Sequence, residues 1–161
     1  MLRGSLRVDL RLVREGLVVA FDFGVAPLEQ ITRLAEVIEH TVYEPGSLRA
    51  VAGRARFTLL NPPLRMGAFS SATIQWDGEP VDPARCTVET DGARPARALS
   101  TLSSTAPLGL PVGARSRFAF PVPDPTSGEH RVRLELTNVA IPPRIWLEFA
   151  DRVAADVPAK P

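Results

Sequence analysis

Cysteine is nearly missing from this chain of 161 residues: Cys86 stands alone. One thiol cannot close an intramolecular disulfide, so the composition gives no sign of an oxidising compartment. Lysine is as scarce, since Lys160 is the only one and the basic residues are otherwise arginine. Excess charge of either sign is lacking too. Lys+Arg number 19 against 18 Asp+Glu, a net charge of +1, so no overall basic field draws the protein to nucleic acid or an anionic membrane. Histidine is limited to His40 and His130, too few for a histidine-rich metal site without carboxylates beside them. No apolar run approaches the roughly 20 residues of a membrane span. The N-terminus alternates apolar and charged residues and has no continuous apolar core of a signal peptide. The cytoplasm is therefore the expected location, with neither nucleic acid nor membrane as a partner.

Hydrophobic residues make up 45% of the chain, and a chain this long buries roughly 70% of its surface on folding. One domain over residues 1–151 is expected, with a polar, frayed tail over 152–161. Period-two alternation dominates. Leu6, Val8, Leu10 and Leu12 share one strand face, and Leu17, Val19, Phe21 and Phe23 share the next, with Glu15-Gly16 between them as a hairpin turn. From Pro27 to Val42 the period changes: Leu28, Ile31, Leu34, Ala35 and Ile38 fall at helical spacing. Pro27 suits a first helical turn, and Glu29 and His40 match the helix dipole. Ser47–Gly53 is ambiguous between a loop and a helical turn.

Strand patterns then come in succession. Ala55, Phe57 and Leu59 alternate with polar neighbours, as do Ala72, Ile74 and Trp76, then Cys86, Val88 and Thr90. Phe118 and Phe120 come next, then Val132, Leu134 and Leu136, and finally Ile145, Leu147 and Phe149. Asp77-Gly78 is a strong hairpin signal. Ala93–Pro111 reads as an irregular loop or as a weak strand near 98–102. The 16 prolines fit edges and turns better than helices. About eight short amphipathic strands imply a mainly β fold, an antiparallel β-sandwich of Greek-key or jelly-roll type, with one N-terminal α-helix over 27–42.

No catalytic constellation stands out. His40 shares a helix face with Glu36, a pair common on ordinary helices, and His130 reads as a turn histidine. Cys86 reads as a small buried apolar residue. Ser70-Ser71 and Ser103-Ser104 lack the strand–turn–helix setting of a nucleophile elbow. The turn carboxylates Asp77, Glu79 and Asp91 are explained by turn formation. No catalytic or metal-ligating residue is therefore assigned to this chain. Two stretches are unusually apolar for loops. One holds Leu64, Arg65, Met66 and Phe69. The other, Ala140–Trp146, contains Arg144 and a Trp146 out of phase with Ile145, Leu147 and Phe149. Each reads either as a proline-pinned crossover or second buried face, or as a protein contact surface, where Met, Arg and Trp are favoured.

The second half of the chain resembles the small β subunit of bacterial C-glycoside deglycosidases. The resemblance runs from Phe57 to about Val153. It rests on Leu64-Arg65-Met66-Gly67-Ala68-Phe69-Ser70, on Ile74-Gln75-Trp76-Asp77-Gly78-Glu79-Pro80-Val81, on Phe118-Ala119-Phe120-Pro121, and on Gly128-Glu129-His130-Arg131-Val132-Arg133-Leu134. Phe69 stands where that family favours Leu, and residues 1–56 lie outside the match. The resemblance implies a β-sandwich that completes a larger TIM-barrel α subunit. That subunit holds a divalent metal, usually manganese, together with the acid–base residues. The pair cleaves the sugar–aglycone carbon–carbon bond of 3-oxo C-glycosides. It also implies a large apolar surface for the partner, with Leu64, Met66 and Trp146 as contacts. Two alternatives stand beside it: a free-standing sugar- or ligand-binding sandwich with exposed stacking aromatics, and a small β-barrel cyclase or isomerase. A closed barrel favours the last, and an open sandwich with an apolar face favours the accessory subunit.

Overall fold

The computed structural model describes residues 7–14, 17–25, 43–44, 46–60, 68–91, 95–111, 113–123, 126–138 and 144–153. For 7–14, 17–25, 138, 144 and 145 the description is of the backbone path. These residues form strands β1 (Arg7–Arg14), β2 (Leu17–Val25), β3 (Arg49–Val51), β4 (Arg54–Leu60), β5 (Phe69–Trp76) and β6 (Glu79–Pro80). Next along the chain are β7 (Thr87–Thr90), β8 (Arg97–Ala98), β9 (Arg115–Pro121), β10 (Gly128–Asn138) and β11 (Arg144–Val153). Two sheets result, ordered β1-β2-β11-β10-β5-β6 and β3-β4-β9-β7-β8. Every pairing is antiparallel. Among the described residues both sheets are open, each with two edge strands, unlike a closed barrel. The expected helix over 27–42 lies outside the described residues.

The alternation in the sequence is what builds the core. In β4, Ala55, Phe57 and Leu59 are buried while Arg54 and Arg56 are exposed. Phe118 and Phe120 of β9 are fully buried, and Phe57 stacks on Phe118 with ring centroids 5.2 Å apart. From the other sheet come Ala72, Ile74, Trp76, Val132, Leu134, Leu136, Leu147 and Phe149. Phe57 meets Phe149 edge-on at 5.1 Å, and Trp76 meets Phe120 at 5.6 Å, so the sheets interlock through aromatic rings. Offset and edge contacts of this kind add roughly 0.5–1.5 kcal/mol each beyond the area they bury.

Two of the two-residue hairpin turns lie among the described residues. Trp76 pairs with Glu79 around Asp77-Gly78, where both φ angles are positive, 49° and 85°. That is the backbone a right-twisted hairpin needs, and Asp and Gly tolerate it. The second hairpin corrects an expectation. Residues 47–53, ambiguous in sequence, form β3 and a turn at Ala52-Gly53, with φ of 49° and 75°. Alanine is a poor residue for that geometry, which is why the turn is hard to see in the sequence.

Two segment ends differ from expectation as well. The final strand runs on through Val153, which is buried, so residues 152 and 153 belong to the sandwich and not to the expected frayed tail. Asp151 accepts hydrogen bonds from the Tyr43 hydroxyl and from the Gly46 N–H, the latter at 2.9 Å. Burial, reinforced by that acceptor, holds the Tyr43 hydroxyl protonated far above its ordinary range. In the 93–111 segment the strand is only Arg97–Ala98, succeeded by a 3-10 turn over Leu99–Thr101. Arg97 ties down the next stretch of chain, donating to the Pro107 and Ala106 carbonyls at 3.1 and 2.9 Å. Leu99, Leu108 and Leu110 are thereby held in the core.

Candidate functional site

The hairpin β5–β6 and the start of β10 meet at one end of the sandwich. Trp76 lies opposite Val132 in the β5–β10 pairing, so the turn just after Trp76 sits beside Arg131 and His130. Asp77 uses this position fully. Its N–H donates to the Arg131 carbonyl at 2.8 Å. Its Oδ1 accepts from the Arg131 N–H at 2.8 Å, and its Oδ2 lies 2.7 Å from His130 Nδ1. The slight burial of this carboxyl works against its ionisation. The Arg131 N–H and His130 outweigh that and hold it below the ordinary value of 3.8.

His130 is enclosed by these contacts. Its ring stacks on Trp76 with centroids 4.4 Å apart and planes within 19°. Its Nε2 lies 3.0 Å from the Ser127 carbonyl. An ionised carboxylate and a backbone carbonyl are both acceptors, so each ring nitrogen is placed to donate. A general base needs a lone pair facing substrate, whereas both ring nitrogens are turned to protein acceptors. The Asp77–His130 pair is thus a structural clamp joining the hairpin to β10, and it covers one face of Trp76.

Beside the clamp opens a cleft of about 640 Å³ lined by Trp76, Pro80, Val81, Pro121, Pro123 and His130, with Asp82 and Arg85 at its rim. Its volume lies within the range of small-molecule sites. Trp76 is only 8% exposed, and its ring is packed by His130 and Phe120, so it offers no free stacking face to a sugar. Cys86 is fully buried, as expected from its place in the strand pattern. Its thiol donates to the Asp82 carbonyl at 3.3 Å, and burial pushes its pKa up to about 11.

The expected partner contacts fall in different places. Leu64, Arg65 and Met66 lie outside the described residues. Phe69 is a correction: it is a core residue, fully buried, and no surface contact. The reason is a β-bulge. Thr137 pairs with Ser71 but Asn138 with Phe69, leaving Ser70 unpaired, and the extra residue turns Phe69 to the side of Ala72 and Ile74. Arg144 opens β11 opposite Thr137 and Asp22. Trp146 alternates with buried Leu147 and Phe149 and so faces outward, half-buried. The Arg133 guanidinium lies 5.8 Å from its ring centroid. Trp146 Nε1 and Arg133 Nε are buried without a hydrogen-bond partner. The large apolar surface expected for a partner is not found among the described residues, where the exposed large hydrophobics are Val51 and Leu60.

Among the described residues no three metal-ligating side chains lie together, and no helix is long and apolar enough to cross a membrane. The chain matches no family model, and no curated protein matches it.

Proposed function

We propose that this chain is a noncatalytic β-sandwich subunit, the small partner in a C-glycoside deglycosidase that acts on 3-oxo C-glycosides. One observation carries the reading. Two of the stretches on which the resemblance rests, around Trp76-Asp77-Gly78-Glu79 and Gly128-Glu129-His130, are some fifty residues apart in sequence, and they form one unit through the 2.7 Å contact between Asp77 and His130. Two candidate reactive groups are engaged in the fold: both ring nitrogens of His130 lie within hydrogen-bond distance of protein acceptors, and the Cys86 thiol is buried with a raised pKa. The open edges of both sheets favour a sandwich over the barrel of a small cyclase. In this reading the sandwich is of Greek-key or jelly-roll type and carries the helix over 27–42. The single domain ends near residue 153, and the location is the cytoplasm.

The chemistry then belongs to the partner. A ketone at the sugar C3 acidifies the neighbouring C–H: a base would take that proton, collapse of the resulting enolate would break the bond to the aglycone, and the departing aglycone carbon would take up a proton from an acid. A TIM-barrel subunit would supply the acid–base residues and a divalent metal, usually manganese, able to stabilise enolate charge. This chain contributes shape and support, with Trp146, Arg144, Leu64, Arg65 and Met66 as its proposed contacts. The test is capture of tagged chain from its own host. A stoichiometric partner of about twice its mass, bearing manganese and releasing aglycone from a 3-oxo C-glycoside, is expected, with Trp146→Ala weakening the capture. A metal-free monomer that accumulates alone overturns the reading.

A second reading has an observation of its own. The cleft beside the clamp is apolar, of small-molecule size and rimmed by Asp82 and Arg85. It suits a compact apolar ligand with a polar end, and saturable ligand binding by the isolated chain distinguishes it from the first reading.

A further inference from the structure

The outer face of the second sheet carries an arrangement that the fold does not require. Arg49 of β3 lies directly opposite Arg56 of β4, and Thr58 of β4 lies opposite Arg117 of β9. Like charges placed directly across an antiparallel pair destabilise it, yet no described carboxylate answers them. Arg117 is paired with Asp91 at 2.8 Å and Arg115 with Glu44 at 3.6 Å. The guanidinium groups of Arg49 and Arg56 have no hydrogen bond or ion pair among the described residues. The surface between them is concave. Arg49, Arg56 and Arg117 line a depression of about 430 Å³ together with Ser47, Thr58 and Glu44. Ser47 is fixed there, its Oγ accepting from the Thr58 N–H at 3.0 Å.

We propose that this depression binds a phosphate monoester dianion carried by a small metabolite. The charge count selects the ligand. With Glu44 engaged by Arg115, and Arg117 by Asp91, Arg49 and Arg56 leave two positive charges uncompensated. A phosphate dianion neutralises both, whereas a carboxylate leaves one over. Guanidinium forks match phosphate oxygens in pairs, and the Thr58 hydroxyl adds a donor. The depression exceeds what phosphate alone fills, so a sugar-sized remainder fits beside it. The like-charge repulsion in the free chain is then the cost of a site completed by its ligand. The site shares no residue with the proposed partner contacts and stands or falls separately from them.

The test is calorimetric titration of the full chain with inorganic phosphate and, separately, with ribose 5-phosphate, in about 0.1 M chloride. Saturable one-to-one binding is expected. Tighter binding of the sugar phosphate identifies the metabolite as the source, and equal binding identifies free phosphate. Arg49→Gln and Arg56→Gln each weaken binding about tenfold or more, the loss of a charge-assisted hydrogen bond. Arg152→Gln, on the other sheet, leaves it unchanged. Relief of the repulsion raises the melting temperature of both glutamine variants by about 1–2 °C, an effect opposite to the loss of a structural contact. Absence of saturable binding to either probe at about 10 mM overturns the proposal. So does an equal loss in Arg152→Gln, which marks diffuse surface charge, or tighter binding of a single-stranded oligonucleotide than of either probe.

Discussion

Replacing Asp77 by alanine tests the clamp that joins the β5–β6 hairpin to β10. The side chain makes two acceptor contacts, 2.7 Å to His130 Nδ1 and 2.8 Å to the Arg131 N–H. Hydrogen bonds to an ionised group contribute about 1.5–3 kcal/mol when sheltered. Asp77 has a side chain 46% exposed, so solvent screening reduces the pair to ~1.5 kcal/mol in all. Alanine also inherits the positive φ of 49° at this turn, which adds to the loss. For a chain of this size the melting temperature falls by about 3–6 °C. The pH dependence comes from the lowered carboxyl pKa. A group whose folded pKa is depressed stabilises the fold above its unfolded value and loses that contribution as pH falls through the folded one. The gap between wild type and Asp77→Ala is therefore full at pH 5 and narrows below the ordinary carboxylate value of 3.8, leaving the pH-independent cost of alanine at the turn. Scanning calorimetry from about pH 5 to pH 2.5 measures it. A variant within about 1 °C of wild type at pH 5, or a gap that persists unchanged at pH 2.5, refutes the argument.

Other substitutions probe other parts of the account. Phe57→Ala removes a fully buried ring that touches Phe118, Phe120 and Phe149; a loss of about 3–5 kcal/mol is expected in denaturant titration, and a loss under 1 kcal/mol would contradict the sandwich core. Ala52→Gly relieves the positive φ of 49° and raises stability by roughly 0.5–1 kcal/mol; destabilisation would show that the turn is of another type. Cys86, buried and with its thiol pushed up to about 11, resists alkylation at about pH 8 in the native protein and reacts in full once unfolded. Rapid native labelling would place it at the surface. His130→Ala uncovers Trp76, whose ring it stacks on at 4.4 Å, and the tryptophan emission shifts to longer wavelength; an unshifted spectrum would mean that the stack does not shield the indole.

The strand faces were legible because their periodicity is strict. Phe57, Phe118, Phe120, Val132, Leu134 and Leu136 point inward as alternation requires, and Asp77-Gly78 turns as its chemistry requires. The pairing of strands was not legible, because hydrophobic alternation states which face is buried and not which neighbour lies alongside. That is why the Asp77–His130 contact stayed hidden: it exists only once β5 and β10 lie antiparallel with Trp76 against Val132. Phe69 was misplaced for a related reason. A bulge shifts the phase of a strand by one residue, and Ser70 differs in no visible way from an ordinary strand serine. The Ala52-Gly53 turn was obscured by an alanine in a conformation that favours glycine or asparagine. The repulsive Arg49–Arg56 pair could not be seen until β3 was known to be a strand.

Whether this sandwich completes a catalytic partner is decided by reconstitution. The co-purified large subunit is assayed for aglycone release from a 3-oxo C-glycoside, first alone and then with this chain added back. The account predicts carbon–carbon cleavage only with both chains present, and a marked loss when Trp146→Ala replaces the wild type. A large subunit equally active without this chain would contradict it.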